Sequence, residues 1–174
     1  MENTTAVAWA LRPATPGDVE ALAELRAVVM RPDLERLGRY DARRVRQRLR
    51  DAWTPHHTSV VLVDGVLAGC AALRPAEGPD GPCWWLEHFM LSPAHQGRGL
   101  GGEVLRALLA RADRHVGAGG GPVRLNVLRG SRARTLYERH GFVEQQREPW
   151  DPVDVFMVRD VQEVRDVRDA GGRA

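Results

Sequence analysis

The 174-residue chain has no lysine and no isoleucine, and all 25 of its basic residues are arginine. A Walker-type phosphate loop needs a lysine to reach the β- and γ-phosphates, and a Schiff-base or pyridoxal enzyme needs a lysine amine, so both chemistries are excluded. Cysteine is scarce too. Cys70 and Cys83 are too few for a disulfide framework and read as small buried hydrophobes; with no export signal, a reducing, cytoplasmic setting is expected. Long apolar runs are also missing. Stretches without charge such as Thr54–Val63 and Gly65–Leu73 fall far short of the roughly 20 residues that span a bilayer. Glu2 stands where a secretory signal would be basic. The 25 basic and 23 acidic residues nearly cancel, so the composition makes no demand for nucleic acid or an anionic membrane.

What is present suits one domain: 43% of residues are hydrophobic, and a chain of roughly 100–200 residues builds one core. The expected division is a single domain over 1–160 and a charged tail over 161–174, in which Val-Arg-Asp recurs at 158, 164 and 167. Such a tail is expected to fray or form a loose helix.

Val7–Arg12 reads as a strand. Thr15 can cap a helix that Pro16 opens, with Val19, Leu22, Leu25 and Val29 at helical spacing toward Met30. A loop or single turn over 31–38 leads to a second helix from about Asp41, with Val45, Leu49 and Trp53 on one face and arginines largely elsewhere. Thr58–Val63 and Val66–Leu73 form a hairpin around Asp64-Gly65, a pair suited to a two-residue turn with positive φ. Pro75–Pro82 reads as a loop and Cys83–Leu91 as a strand ending at Ser92-Pro93. A helix follows Gly97–Gly102 and breaks at Gly117–Pro122. Then come a strand at Val123–Leu128, a short helix from Ser131 to His140, a strand after Gly141-Phe142 and a last strand at Val153–Arg159. A hairpin and meander followed by alternation argue for a mixed sheet with helices on both faces.

Gly97–Gly102 satisfies G-x-G-x-x-G, the dinucleotide fingerprint. That fingerprint should follow the first strand of a βαβ unit and be joined by an acid roughly 20 residues on. Here the run follows a hairpin, and Pro122–Leu128 contains no acid. A binding role for the run does not depend on that fingerprint. Glycines admit a ligand close to the backbone, and the amides at the start of the next helix carry partial positive charge, so they can hold a pyrophosphate without lysine.

The segment Glu87-His88-Phe89-Met90-Leu91-Ser92-Pro93-Ala94-His95-Gln96-Gly97-Arg98-Gly99-Leu100-Gly101 resembles the signature region of the GNAT superfamily of acyl-CoA N-acyltransferases. Gln96, Gly99 and Gly101 occupy the three defining positions of its Q/R-x-x-G-x-G/A loop. A second segment, Leu125 to Phe142 with Leu136-Tyr137 and Gly141-Phe142, is similar to that family's strand, helix and L-Y-x-x-x-G-F closure. One departure is Ser131, where many members have an asparagine that reaches farther toward the cofactor.

The resemblance implies a GNAT-like α/β fold: a mixed, mostly antiparallel sheet of about seven strands with helices on both faces. It implies acetyl-CoA as co-substrate without a metal, and an acceptor amine on a small molecule or peptide that attacks the thioester directly in a ternary complex. Pairing of sheet edges into a homodimer is frequent in that family. Cofactor binding would fall to Phe89, Met90 and Leu91 on the strand, to Gln96, Gly97, Arg98, Gly99, Leu100, Gly101 and Gly102 in the loop, and to Ser131, Arg134 and Tyr137. The amide of Met90 or Leu91 would meet the oxyanion, and Tyr137 would lie near the thioester sulfur.

For the base, strand alternation puts Trp85, Glu87, Phe89 and Leu91 on one face and Leu86, His88 and Met90 on the other. The cleft-facing set favours Glu87 as base or water-positioner, with His88 as rival. Acceptor residues are expected at Met30, Arg31, Arg36 and Trp150, with Asp151 and Asp154 beside them; Arg31 and Arg36 would suit a carboxylate-bearing acceptor such as an amino acid. Two other classes compete: an acyl-CoA sensor without turnover, and a nucleotide- or nucleic-acid-binding module using the arginine face of residues 43–50.

Overall fold

The computed structural model describes residues 8–114 and 121–161. Most of the expected break at Gly117–Pro122 and nearly all of the charged tail lie outside them. The order is β1 (Trp9–Pro13), α1 (Val19–Val29), α2 (Arg31–Arg36), α3 (Ala42–Asp51), β2 (Thr58–Val63), β3 (Val66–Gly78), β4 (Gly81–Leu91), α4 (Leu100–Asp113), β5 (Val123–Leu128), α5 (Ala133–Arg139), β6 (Val143–Gln145) and β7 (Asp154–Arg159). The strands form one seven-stranded sheet, β1-β2-β3-β4-β5-β7-β6. Every pairing is antiparallel except β4 with β5.

Alternation along the strands gives each face its own core. Leu73, Leu86 and Leu125 meet Val104, Leu105 and Leu108 of α4, with Tyr137 of α5 and Phe142. Val60, Cys70 and Met90 face the other way and meet Leu22 and Ala23 of α1 and Leu49 of α3. The turn between β2 and β3 has the chemistry read from its residues, with φ of 50° at Asp64 and 78° at Gly65.

Two local readings change. The stretch from Pro75 is not a loop: β3 runs on to Gly78 and pairs with β4 down to Gly78 opposite Gly81. Pro75 is tolerated because β2 ends with Thr58 opposite Ala72, so beyond that point β3 is an edge strand, where a missing N–H breaks no ladder. Residues 31–36 form a short helix, with Pro32 in its first turn.

Candidate active site

β4 and β5 pair only at Trp84 with Val123 and Trp85 with Arg124. From Leu86 to Leu91, β4 has no strand on that side among the described residues, while β5 keeps its full pairing with β7. The sheet is therefore split between β4 and β5. Gly69 of β3 lies so close to β4 that an added Cβ would sit 2.2 Å from the Met90 carbonyl oxygen. That carbonyl points toward β3; across the same planar peptide the Leu91 N–H points the opposite way, into the split. The Leu91 carbonyl accepts a hydrogen bond of 2.8 Å from Gln96 Nε2, which ties the strand end to the glycine loop.

The expected alternation along β4 does not hold. Cys70 pairs with Met90 and Ala72 with Glu87, so Ala71 faces two residues, His88 and Phe89. This is a bulge, and His88 takes a φ of 52° within it. A residue inserted in one strand reverses the facing of everything beyond it. Glu87 thus shares a face with Met90, toward α1 and α3, while Phe89 and Leu91 join Leu86 on the face of α4 and α5. The bulge keeps Glu87 and His88 on the α1 side. Glu87 Oε1 accepts a hydrogen bond of 2.7 Å from Arg74 Nε, and its side chain is only 19% exposed. His88 Nδ1 lies 3.2 Å from Arg26 Nη1 of α1. Burial, then the Arg26 charge, pushes the His88 pKa down to about 4, so at neutral pH the ring is uncharged and a poor match for an ammonium proton.

The glycine loop divides its labour. Gly97 and Gly99 have φ of 74° and 85° with open space around them, and Gly99 precedes α4. Gly101 and Gly102 instead face α5 and its end: a Cβ at Gly101 would lie 3.4 Å from Leu136 and one at Gly102 3.5 Å from His140, both ordinary contacts. Gly102 and Glu103 donate to the Gly99 carbonyl, which leaves the Leu100 and Gly101 N–H groups unpaired within the helix. Arg98 is exposed and has no ion-pair partner among the described residues.

Tyr137 is buried, its ring 5.7 Å from Phe142 and 6.4 Å from Phe89. Burial raises the pKa of its phenol, which stays protonated. Ser131 Oγ accepts only a 3.3 Å bond from the Ala133 N–H. Arg134, expected near the cofactor, is ion-paired with Glu138 and Glu144.

Of the expected acceptor residues, Arg36, Trp150, Asp151 and Asp154 gather around Arg129, to which the sequence assigns no role. Arg36 donates to the Arg129 carbonyl at 2.7 Å and lies against Gly130. The Arg129 guanidinium stacks on Trp150 at 4.6 Å and donates to the Asp151 and Asp154 carbonyls. Met30 joins α1 to α2. The cavity beside Trp150 measures about 20 Å³, room for a water and not for an amine substrate. Arg31 and Arg36 are engaged already, with Glu35 and with Asp33. On the arginine face of α3, Arg46 and Arg50 pair with Glu24 and Glu20 of α1. Arg26, Arg74 and Arg129 carry no signal in the sequence beyond their abundance, since each partner lies far along the chain.

The family model described as Acetyltransferase (GNAT) family matches residues 19–142. The chain belongs to the GNAT acetyltransferase family. No curated protein matches it. Among solved structures, the PaiA N-acetyltransferase of Thermoplasma acidophilum, in complex with coenzyme A, is similar with a TM-score of 0.68 at 17% identity, covering 88% of this chain and 99% of that one. A GNAT acetyltransferase of Streptococcus pneumoniae gives 0.56 at 21% identity, covering 89% and 100%. N-acetylglutamate synthase of Neisseria gonorrhoeae, complexed with coenzyme A and N-acetyl-glutamate, gives 0.63 at 22% identity over 91% of this chain. This GNAT chain spans only 36% of that longer protein. These likenesses establish the shared fold, with its mixed seven-stranded sheet. Among the described residues no group of acids, histidines and cysteines could hold a metal, and no helix is long and apolar enough to cross a membrane.

Proposed function

We propose that the protein transfers an acetyl group from acetyl-CoA to an amine by direct attack within a ternary complex. The observation that carries the proposal is the split between β4 and β5, which opens beside the positive end of α4. The free Leu100 and Gly101 amides and the unpartnered Arg98 fit a pyrophosphate, and the backbone edge of β4 from Leu86 to Leu91 fits the amides of pantetheine. Acetyl-CoA supplies the activated acyl group; the chain supplies the rest. The Leu91 N–H opposes the negative charge that grows on the thioester oxygen. Glu87, steadied by Arg74, takes the ammonium proton directly or through a water. Tyr137, held protonated by burial, donates to the departing sulfur. The acceptor enters from the side of Met30, Arg36 and Trp150.

Acetyl-CoA at 100 times its Kd should stabilise the fold by about 2.7 kcal/mol, read as a raised melting temperature. Free thiol should then appear when amines are added. No stabilisation by acetyl-CoA, beside stabilisation by a dinucleotide, would overturn the reading. Stabilisation with no thiol release from any acceptor would favour the sensor without turnover.

A further inference from the structure

Two buried donors next to Glu87 lack partners. Arginine cannot accept a hydrogen bond, so in the Arg26–His88 contact Nδ1 of the histidine is the acceptor. The imidazole is then neutral with its proton on Nε2. That Nε2–H and the Nε–H of Arg26 are both buried without a hydrogen-bond partner among the described residues. Leaving one such donor unmet costs about 1–3 kcal/mol. Two of them, on residues of α1 and of the β4 bulge that touch through Arg26 Nη1 and His88 Nδ1, leave this contact short of an acceptor.

The charge tells the same way. No carboxylate pairs with Arg26 among the described residues, and the nearby acid, Glu87, is taken by Arg74. Arg48 of α3 adds a further positive charge that bears on both Arg26 and His88. Three guanidinium groups, of Arg26, Arg48 and Arg74, thus bear on His88, against the single carboxylate of Glu87. An acceptor amine arrives as an ammonium ion. A polyamine or any other purely cationic amine would add charge to a site that already has too much of it.

We infer that the acceptor carries a carboxylate close to its amine, and that Arg26, with the Nε2–H of His88, receives it. This rests on the acyl-transfer reading above and names the acceptor's class. Both donors are shut off from water, so Arg26 meets the carboxylate by a side-chain rotation; among the described residues His88 is its one hydrogen-bond partner. The carboxylate supplies oxygens to both donors and offsets the surplus charge. Arg31 and Arg36, occupied by Glu35, Asp33 and the Arg129 carbonyl, are left to shape the entrance.

The test compares free thiol release from acetyl-CoA with each of the common α-amino acids and with its decarboxylated amine, for instance arginine against agmatine and phenylalanine against phenylethylamine. The best carboxylated acceptor should exceed its amine in kcat/KM by about 10- to 100-fold, the scale of a charge-assisted hydrogen bond. In Arg26→Met this ratio should fall close to one, and Arg26→Lys should restore part of it. A ratio within one preparation is independent of the fraction of protein folded, so a merely structural role for Arg26 would not move it. Preference for the decarboxylated amines, or a preference that survives Arg26→Met, overturns the inference. So does stabilisation by acetyl-CoA with no transfer to any carboxylated acceptor. Absence of any acetyl-CoA stabilisation instead strikes the acyl-transfer reading on which it rests.

Discussion

Among the described residues, the hydrophobic cluster on the side covered by α4 and α5 joins twenty buried side chains, and the cluster on the side covered by α1 and α3 joins six. The second side is rich in charged contacts, with Arg46–Glu24 and Arg50–Glu20 linking α3 to α1 and Arg26, Arg74, Glu87 and His88 lying between helix and strand. One layer packs densely and carries the glycine loop and Tyr137. The other carries ionisable groups over a small core. The difference separates two tasks: a stiff apolar layer fixes the end of α4, while a lightly packed polar layer leaves room for chemistry and for an acceptor whose shape the fold does not dictate.

The comparison breaks if the small core matters as much as the large one. Leu105→Ala should cost near the upper end of the roughly 2–5 kcal/mol seen for buried leucines, and Leu49→Ala near the lower end, by urea unfolding. Equal losses would mean that the α1–α3 layer is as stiff as its counterpart. The next largest effects fall on activity. Glu87→Gln should lower kcat about 100-fold and flatten its pH dependence, and Tyr137→Phe should lower kcat on a similar scale with acetyl-CoA affinity retained. If affinity collapses instead, Tyr137 belongs to the packed layer alone.

How far this division could be read beforehand depends on how local its causes are. The Asp64-Gly65 turn and the helix after Gly99 follow from residues that act on their own backbone, and both were legible. The strand beyond Pro75 was not, because being an edge depends on where β2 stops. The facing of β4 failed for the same kind of reason: a bulge at His88 is set by register with β3, and no local signal marks it. Arg26 and His88 lie 62 positions apart. In a chain with 25 arginines, nothing local marks Arg26 as one that meets a histidine in place of an acid.

Smaller effects sharpen the contrast. With the pKa of His88 lowered in the native state to about 4, the unfolded chain binds the extra proton first as acid is added. This contribution to stability is complete above roughly pH 6.5, the ordinary histidine value, and is lost as pH falls toward 4. His88→Gln should remove that part of the acid sensitivity, read from melting temperatures across the window. Least of all, Glu20→Gln with Glu24→Gln should barely move the melting temperature, and the change should vanish in about 1 M salt, since both pairs are exposed.

The left-handed residue at position 88 also limits how this chain can vary. Asparagine, aspartate or glycine can adopt that conformation at small cost, whereas a β-branched residue resists it. Its easiest escape is to straighten the strand, which slides the end of β4 by one residue. Phe89, Met90 and Leu91 would then exchange sides together, sending the Met90 side chain toward the acyl donor and the other two into the acceptor layer. A single codon thus acts as a selector for the facing of a whole strand end, and descendants of this sequence can change it only by rebuilding both layers at once.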